Sequence, residues 1–258
     1  APVATPTPTY TYAPGCPCLT VYAQPDTGFK VMLDAIGGAK KSVRLKMYLF
    51  TAPSLTEALR DAAKRGLDVR VLMELQPYGG STSNIDIFNA LKGSGVQWKW
   101  TDFSVFRFSH EKSLVIDEKV AYIMTHNFTA SSFTANREYG VIDTQPDDVA
   151  EIMRVFEADW NRTKPDLSQA RLVWSPDNAR AKILALLDEA KTSIDLEQAE
   201  MLDPEIGEHL LMAAKRGVAI RLVSSAYDPL EQDSNEPQKE MLRQAGAQAR
   251  YADDPYIH

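Results

Sequence analysis

Ala62-Ala63-Lys64-Arg65-Gly66-Leu67-Asp68-Val69-Arg70-Val71-Leu72 returns, 151 residues on, as Ala213-Ala214-Lys215-Arg216-Gly217-Val218-Ala219-Ile220-Arg221-Leu222-Val223. Ala39-Lys40-Lys41-Ser42-Val43-Arg44-Leu45 returns at the same spacing as Ala190-Lys191-Thr192-Ser193-Ile194-Asp195-Leu196. Two matches at one offset mark an internal duplication. Each copy reads as helix, strand, helix, strand, with Arg-Gly closing the second helix as a C-cap glycine does. The strands are short, apolar and β-branched, as strands of a buried sheet with helices on both sides are. The expected fold class is therefore α/β, a helix–sheet–helix sandwich in two pseudo-equivalent halves.

Working outward, helices are expected near residues 29–39, 54–65 and 85–92, and strands near 43–50, 69–74 and 96–100. A hairpin over 110–127, a strand at 138–144 and an amphipathic helix at 148–161 follow. The expected organisation is a Pro/Thr-rich leader over 1–24, a first half over 25–165 and a second half over 166–258. The hairpin reads His110-Glu111-Lys112-Ser113-Leu114-Val115-Ile116-Asp117, a two-residue turn at Glu118 and Lys119, then a return strand. Alternation puts His110 and Lys112 on one face. If Asp117 pairs with Val120, Lys112 lies across from Thr125 and His110 across from Asn127. An imidazole, a cation, a hydroxyl and an amide would then share one patch able to bind a phosphoryl group without a metal. Asp117 points to the other face and is expected to hold the hairpin end, and Glu111 is expected to meet His126 there.

His110-x-Lys112-(x)4-Asp117, followed by Asn127 and Glu138, resembles the His-Lys-Asp signature of the phospholipase D superfamily. The stretch from Phe29 to Thr144 also has that family's order of elements. One departure is visible: Met124-Thr125 stands where the family usually has Gly-Ser before x-Asn. The resemblance implies two pseudo-twofold-related halves with mixed sheets. It also implies a two-step displacement without cofactor or metal. His110 would attack phosphorus to give a phosphohistidine, Lys112 and Asn127 would hold the equatorial oxygens, Thr125 would add a hydrogen bond, and Glu138 would orient the ring. In the family two motifs form one site. The second histidine should fall at 261, and His258, three residues earlier, is expected to be its general acid. A companion C-terminal segment completing the second motif, cut off or removed, is expected because an incomplete sheet leaves a raw edge, two chains with one motif each being the alternative.

The implied substrate is a phospholipid or another phosphodiester, hydrolysed or transferred to an alcohol, with transient contact at a membrane surface. A nuclease of the same superfamily is the alternative, and a binding module with a decayed site is a third. Among 258 residues the net charge is −7, which gives no general pull toward nucleic acid. No apolar run reaches the roughly 18 residues of a membrane span. Phe103, Phe106 and Phe108 approach His110 and either flank a pocket mouth or form a buried strand face. The loop 76–83 is flexible enough for a gate. The Pro/Thr-rich start without Met reads like a chain exposed by signal-peptide removal, which would make the protein secreted or periplasmic; a cut made elsewhere would look the same. Cys16 and Cys18 are expected to form a tight disulfide in an oxidising compartment, two free thiols being the alternative.

Overall fold

The computed structural model describes residues 11–13, 16–78, 81–225, 235–252 and 254–258. They form two compact units, divided between residues 171 and 172. The first ten residues, the start of the Pro/Thr-rich stretch, lie outside the described residues.

In the first unit the chain runs β1 (Thr11–Ala13), β2 (Cys16–Gln24), α1 (Lys30–Gly38), β3 (Ser42–Met47), α2 (Pro53–Lys64), β4 (Asp68–Met73), α3 (Ser83–Leu91) and β5 (Gln97–Trp100). It continues through β6 (Ser113–Ile116), β7 (Val120–Met124), α4 (Ala130–Thr134), β8 (Glu138–Asp143) and α5 (Pro146–Asn161). Eight strands make one mixed sheet in the order β1-β2-β8-β7-β6-β3-β4-β5. The duplicated strands β3, β4 and β5 run parallel, and the hairpin strands join β3 antiparallel. Every residue of β3 is buried, as befits a strand covered on both faces. On one face Leu45, Val71 and Met47 pack with Ile36, Leu55 and Leu59 from the helices. On the other, Arg44 reaches Asp68 at 2.5 Å, Arg70 reaches Glu157 of α5 at 3.2 Å, and Lys46 pairs with Glu111 and Asp159.

The second unit comprises α6 (Ala179–Glu189), β9 (Ser193–Glu197), α7 (Pro204–Lys215), β10 (Ala219–Ser225), α8 (Glu236–Gln244) and β11 (Gln248–Ala252). Its three strands are parallel in the order β11-β10-β9. The duplication is structural down to single hydrogen bonds. Asn84 accepts from Phe50 N at 2.8 Å and donates to Tyr48 O at 2.7 Å. Asn235 accepts from Met201 N at 2.7 Å and donates to Ala199 O at 2.9 Å. Arg65 and Arg216 each donate to a carbonyl at the end of the preceding helix, Ile36 O and Leu187 O, both at 3.0 Å. Gly66 and Gly217 follow with φ of 86° and 88°, the left-handed turn that ends α2 and α7.

Three expectations need correction. Residues 16–24 are not leader: they form β2, which pairs along its length with β8. The alternation Leu19, Val21, Ala23 against Tyr22 and Gln24 is a strand pattern hidden behind the two cysteines and Pro17. The hairpin closes with Ile116 opposite Val120, one residue off the expected register. Its turn has three residues, with Asp117 and Glu118 at φ of 56° and 59°. Strand β6 also begins only at Ser113, so His110 and Lys112 lie on the segment that enters it.

Asp117 ties the hairpin turn to the start of β3. Its carboxylate accepts from the backbone N–H of Lys40 at 2.9 Å, Lys41 at 2.6 Å and Ser42 at 2.9 Å. Partial burial pushes its pKa up, but the hydrogen bonds from Ser42, Lys40 and Lys41 outweigh this and hold the carboxyl below its usual value. Because the folded pKa is depressed, the stabilisation is present at neutral pH and is lost as pH falls through that value. Asp117→Ala is expected to cost about 2 kcal/mol in urea unfolding at pH 7. The difference from wild type should shrink at acid pH, and a cost unchanged with pH would contradict this account.

Gly140 on β8 lies opposite Tyr22 on β2, and a Cβ at Gly140 would overlap the tyrosine ring. Tyr22 in turn holds the buried His126 ring through a 2.8 Å hydrogen bond from its hydroxyl region to Nε2. Gly140→Ala is expected to destabilise the first unit by about 1–3 kcal/mol, read as a lowered unfolding midpoint.

Candidate active site

The site is built where β3 and β4 end and β6 begins. Glu74, just past β4 and only 3% exposed, binds both ends of the loop that leads to the motif. Its Oε2 accepts from Thr101 Oγ1 at 3.2 Å and from Ser109 N at 2.8 Å. His110 follows directly and is exposed. Lys112 turns back on it: Nζ lies 2.9 Å from His110 Nδ1 and donates to His110 O at 2.8 Å. The Tyr48 ring, after β3, packs on the imidazole with centroids 4.0 Å apart and lies 5.1 Å from Lys112 Nζ. The ring of His110 is therefore held at one nitrogen and along one face.

Glu111, between the two, faces the opposite way. It accepts from Lys46 Nζ at 2.7 Å and from Ser113 Oγ at 2.6 Å. Burial alone would lower the Lys46 pKa, but Glu111 and Asp159 more than offset it and raise the pKa above the usual value. The buried ion pair thus anchors the back of the motif. The expected meeting of Glu111 with His126 does not occur, since His126 is fully buried beside Tyr22 and Phe133.

Lys112 is 5% exposed, and burial drops its pKa to about 8, with the Glu138 carboxylate pulling the other way. Glu138 is fully buried at the start of β8. It accepts from Thr125 Oγ1 at 2.8 Å and from Asn136 Nδ2 at 3.4 Å. Thr125 Oγ1 also accepts from Tyr139 N at 3.0 Å. The expected placement of Thr125 across from Lys112 is not found. Met124 stands there, donating its N–H to Lys112 O at 3.0 Å, because the turn is one residue longer than expected. Asn127 is buried and its Oδ1 accepts from Leu49 N at 3.2 Å, one residue beyond Tyr48. Its Nδ2 donates to no partner among the described residues.

In the second unit, Ser225 closes β10 as Glu74 follows β4, at the same 151-residue offset. Ser225 Oγ donates to Ile257 O and accepts from Ile257 N, each at 2.7 Å. Ile257 precedes His258 as Ser109 precedes His110, so the two histidines occupy equivalent places in their own units. Cys16 and Cys18 are disulfide-bonded, away from the motif at the start of β2.

The sequence reading missed Tyr48, Glu74 and the Lys46–Glu111 pair. Asn84 was missed too, although its recurrence as Asn235 was a signal in the text. No group of three or more His, Cys, Asp or Glu among the described residues is placed to hold a metal ion. Two surface concavities are elsewhere: one of about 560 Å³ lined by Lys119, Met153 and Arg154, and one of about 590 Å³ lined by Asp195, Arg221 and Gln248.

Residues 32–160 match the family described as cardiolipin synthase, PLD-like domain. The chain belongs to the phospholipase D superfamily. It is 26% identical over 237 residues to cardiolipin synthase B of Escherichia coli K12, a match covering 76% of this chain and 56% of that protein. The chain thus spans about half the length of such curated relatives. Among solved structures, the phospholipase D family member Nuc of Salmonella typhimurium is 28% identical with a TM-score of 0.51, covering 57% of this chain and 97% of Nuc. Phosphatidylserine synthase of Haemophilus influenzae, at 13% identity, shares the fold with a TM-score of 0.71 over 98% of this chain and 77% of its own.

Proposed function

We propose that the chain carries the nucleophilic half of a phosphodiesterase site that cleaves phospholipid head groups, by hydrolysis or transfer to an alcohol. The observation that carries this reading is the 2.9 Å contact of Lys112 with Nδ1 of an exposed His110, which leaves Nε2 directed away from the lysine. Nε2 attacks phosphorus, an N–P bond forms, and the P–O bond to the leaving alcohol breaks. That alkoxide takes its proton from a general acid. Water or a second alcohol then displaces the histidine. Lys112 Nζ and Asn127 Nδ2 bind the equatorial oxygens where charge builds. Glu138 supplies a buried negative charge that favours the charged form of Lys112, and Thr125 acts by holding Glu138. The Cys16–Cys18 bond supports an oxidising, extracytoplasmic location.

The test is a rapid alkaline quench of the protein with phosphatidylcholine, followed by peptide mass analysis. A phosphoryl-linked adduct on His110, with choline released and turnover unchanged by chelator, supports the reading. Choline release without any His110 adduct, or degradation of oligonucleotides in its place, overturns it.

A further inference from the structure

The segment between Thr101 and Ser109 is a built display. Both ends are fixed to the Glu74 carboxylate, and its interior is closed by Asp102, which accepts from Ser104 N at 3.0 Å and from Ser104 Oγ at 2.6 Å. Val105 N and Phe106 N then donate to Asp102 O at 3.1 and 3.3 Å. What this turn presents is apolar: Phe103 is 71% exposed and Val105 is 65% exposed, and Tyr78, whose ring meets Phe108 of the same segment, is 81% exposed. A line of rings connects this rim to the site. Tyr78 meets Phe108 at 6.3 Å, Phe108 meets Tyr48 at 6.3 Å, and Tyr48 packs on His110. Arg107 is exposed beside Phe108, its guanidinium 5.5 Å from that ring.

We propose that Phe103, Val105 and Tyr78 form a lipid-surface anchor that seats the site on a bilayer, with Arg107 at head-group level. The proposal rests on the phosphodiesterase reading above and names where its substrate is met. Aromatic and aliphatic tips with a cation just behind them suit the boundary between acyl chains and anionic head groups. A soluble partner would need more area than three side chains supply. Continuity with His110 places the anchored lipid's phosphate at the nucleophile while its tails stay in the membrane.

The experiment is sedimentation of the 258-residue chain with vesicles of phosphatidylcholine and phosphatidylglycerol, at low and high salt. A Phe103→Ser/Val105→Ser variant is compared, both positions being too exposed to carry the fold. Wild type should partition onto vesicles, with part of the binding surviving high salt. The variant should bind roughly tenfold more weakly or worse. Equal binding by the two proteins, or no binding by wild type, overturns the proposal. So does a variant that keeps vesicle binding but loses oligonucleotide binding, which would make the rim a base-stacking platform. Partitioning reads the rim and the His110 adduct reads the site, so either reading can fail without the other.

Discussion

His110→Asn is expected to lower phosphodiester turnover by about 10⁴-fold or more and to abolish the covalent adduct. Asparagine keeps a polar group of similar reach but has no nitrogen lone pair able to attack phosphorus. Stability should stay within about 0.5 kcal/mol of wild type, because the imidazole is exposed and the loop is held through Glu74 and Ser109 rather than through the ring. Turnover in this variant above a tenth of wild type would remove His110 as nucleophile.

Lys112→Met is expected to cost about 10²–10³-fold in turnover while raising stability. The two effects have one cause. Burial holds the Lys112 pKa near 8, far below that of an exposed lysine, so at neutral pH its charge is held against the fold. In the window between about 8 and the ordinary lysine value the unfolded chain binds the extra proton, so wild-type stability rises with pH across it. Activity moves the other way, since an uncharged Lys112 no longer balances the phosphoryl oxygens, and turnover should fall as pH rises through about 8. Methionine removes both dependences. A variant with wild-type stability between pH 6 and 10 and an unchanged alkaline limb would show that the cation is neither strained nor used.

Much of this was legible because duplication is a property of text. The offset that links Arg65 to Arg216 predicted paired helices and strands, and the same offset carries Asn84 onto Asn235 with both hydrogen bonds intact. The pairing register of the hairpin was not legible. A two-residue turn was the economical reading, whereas the chain places Asp117 and Glu118 in left-handed conformation, which no glycine announced. Asp117 can adopt it because three backbone N–H groups hold its carboxylate in place. That single extra residue moved Thr125 from the phosphoryl patch onto Glu138. Strand β2 was hidden for a different reason: pairing partners distant in sequence, here β8, decide whether a proline-flanked stretch becomes sheet.

The charges on the two sheets set the repeats apart. Where the first unit has Arg44 and Lys46 facing Glu157 and Asp159 of α5, the second has Asp195 and Glu197 on β9, both exposed. A helix carrying the carboxylates of α5 would meet Glu197 and an Asp195 already paired with Arg221. The ancestral repeats, though alike in backbone, have ceased to be interchangeable parts: the helix that covers one sheet does not suit the other.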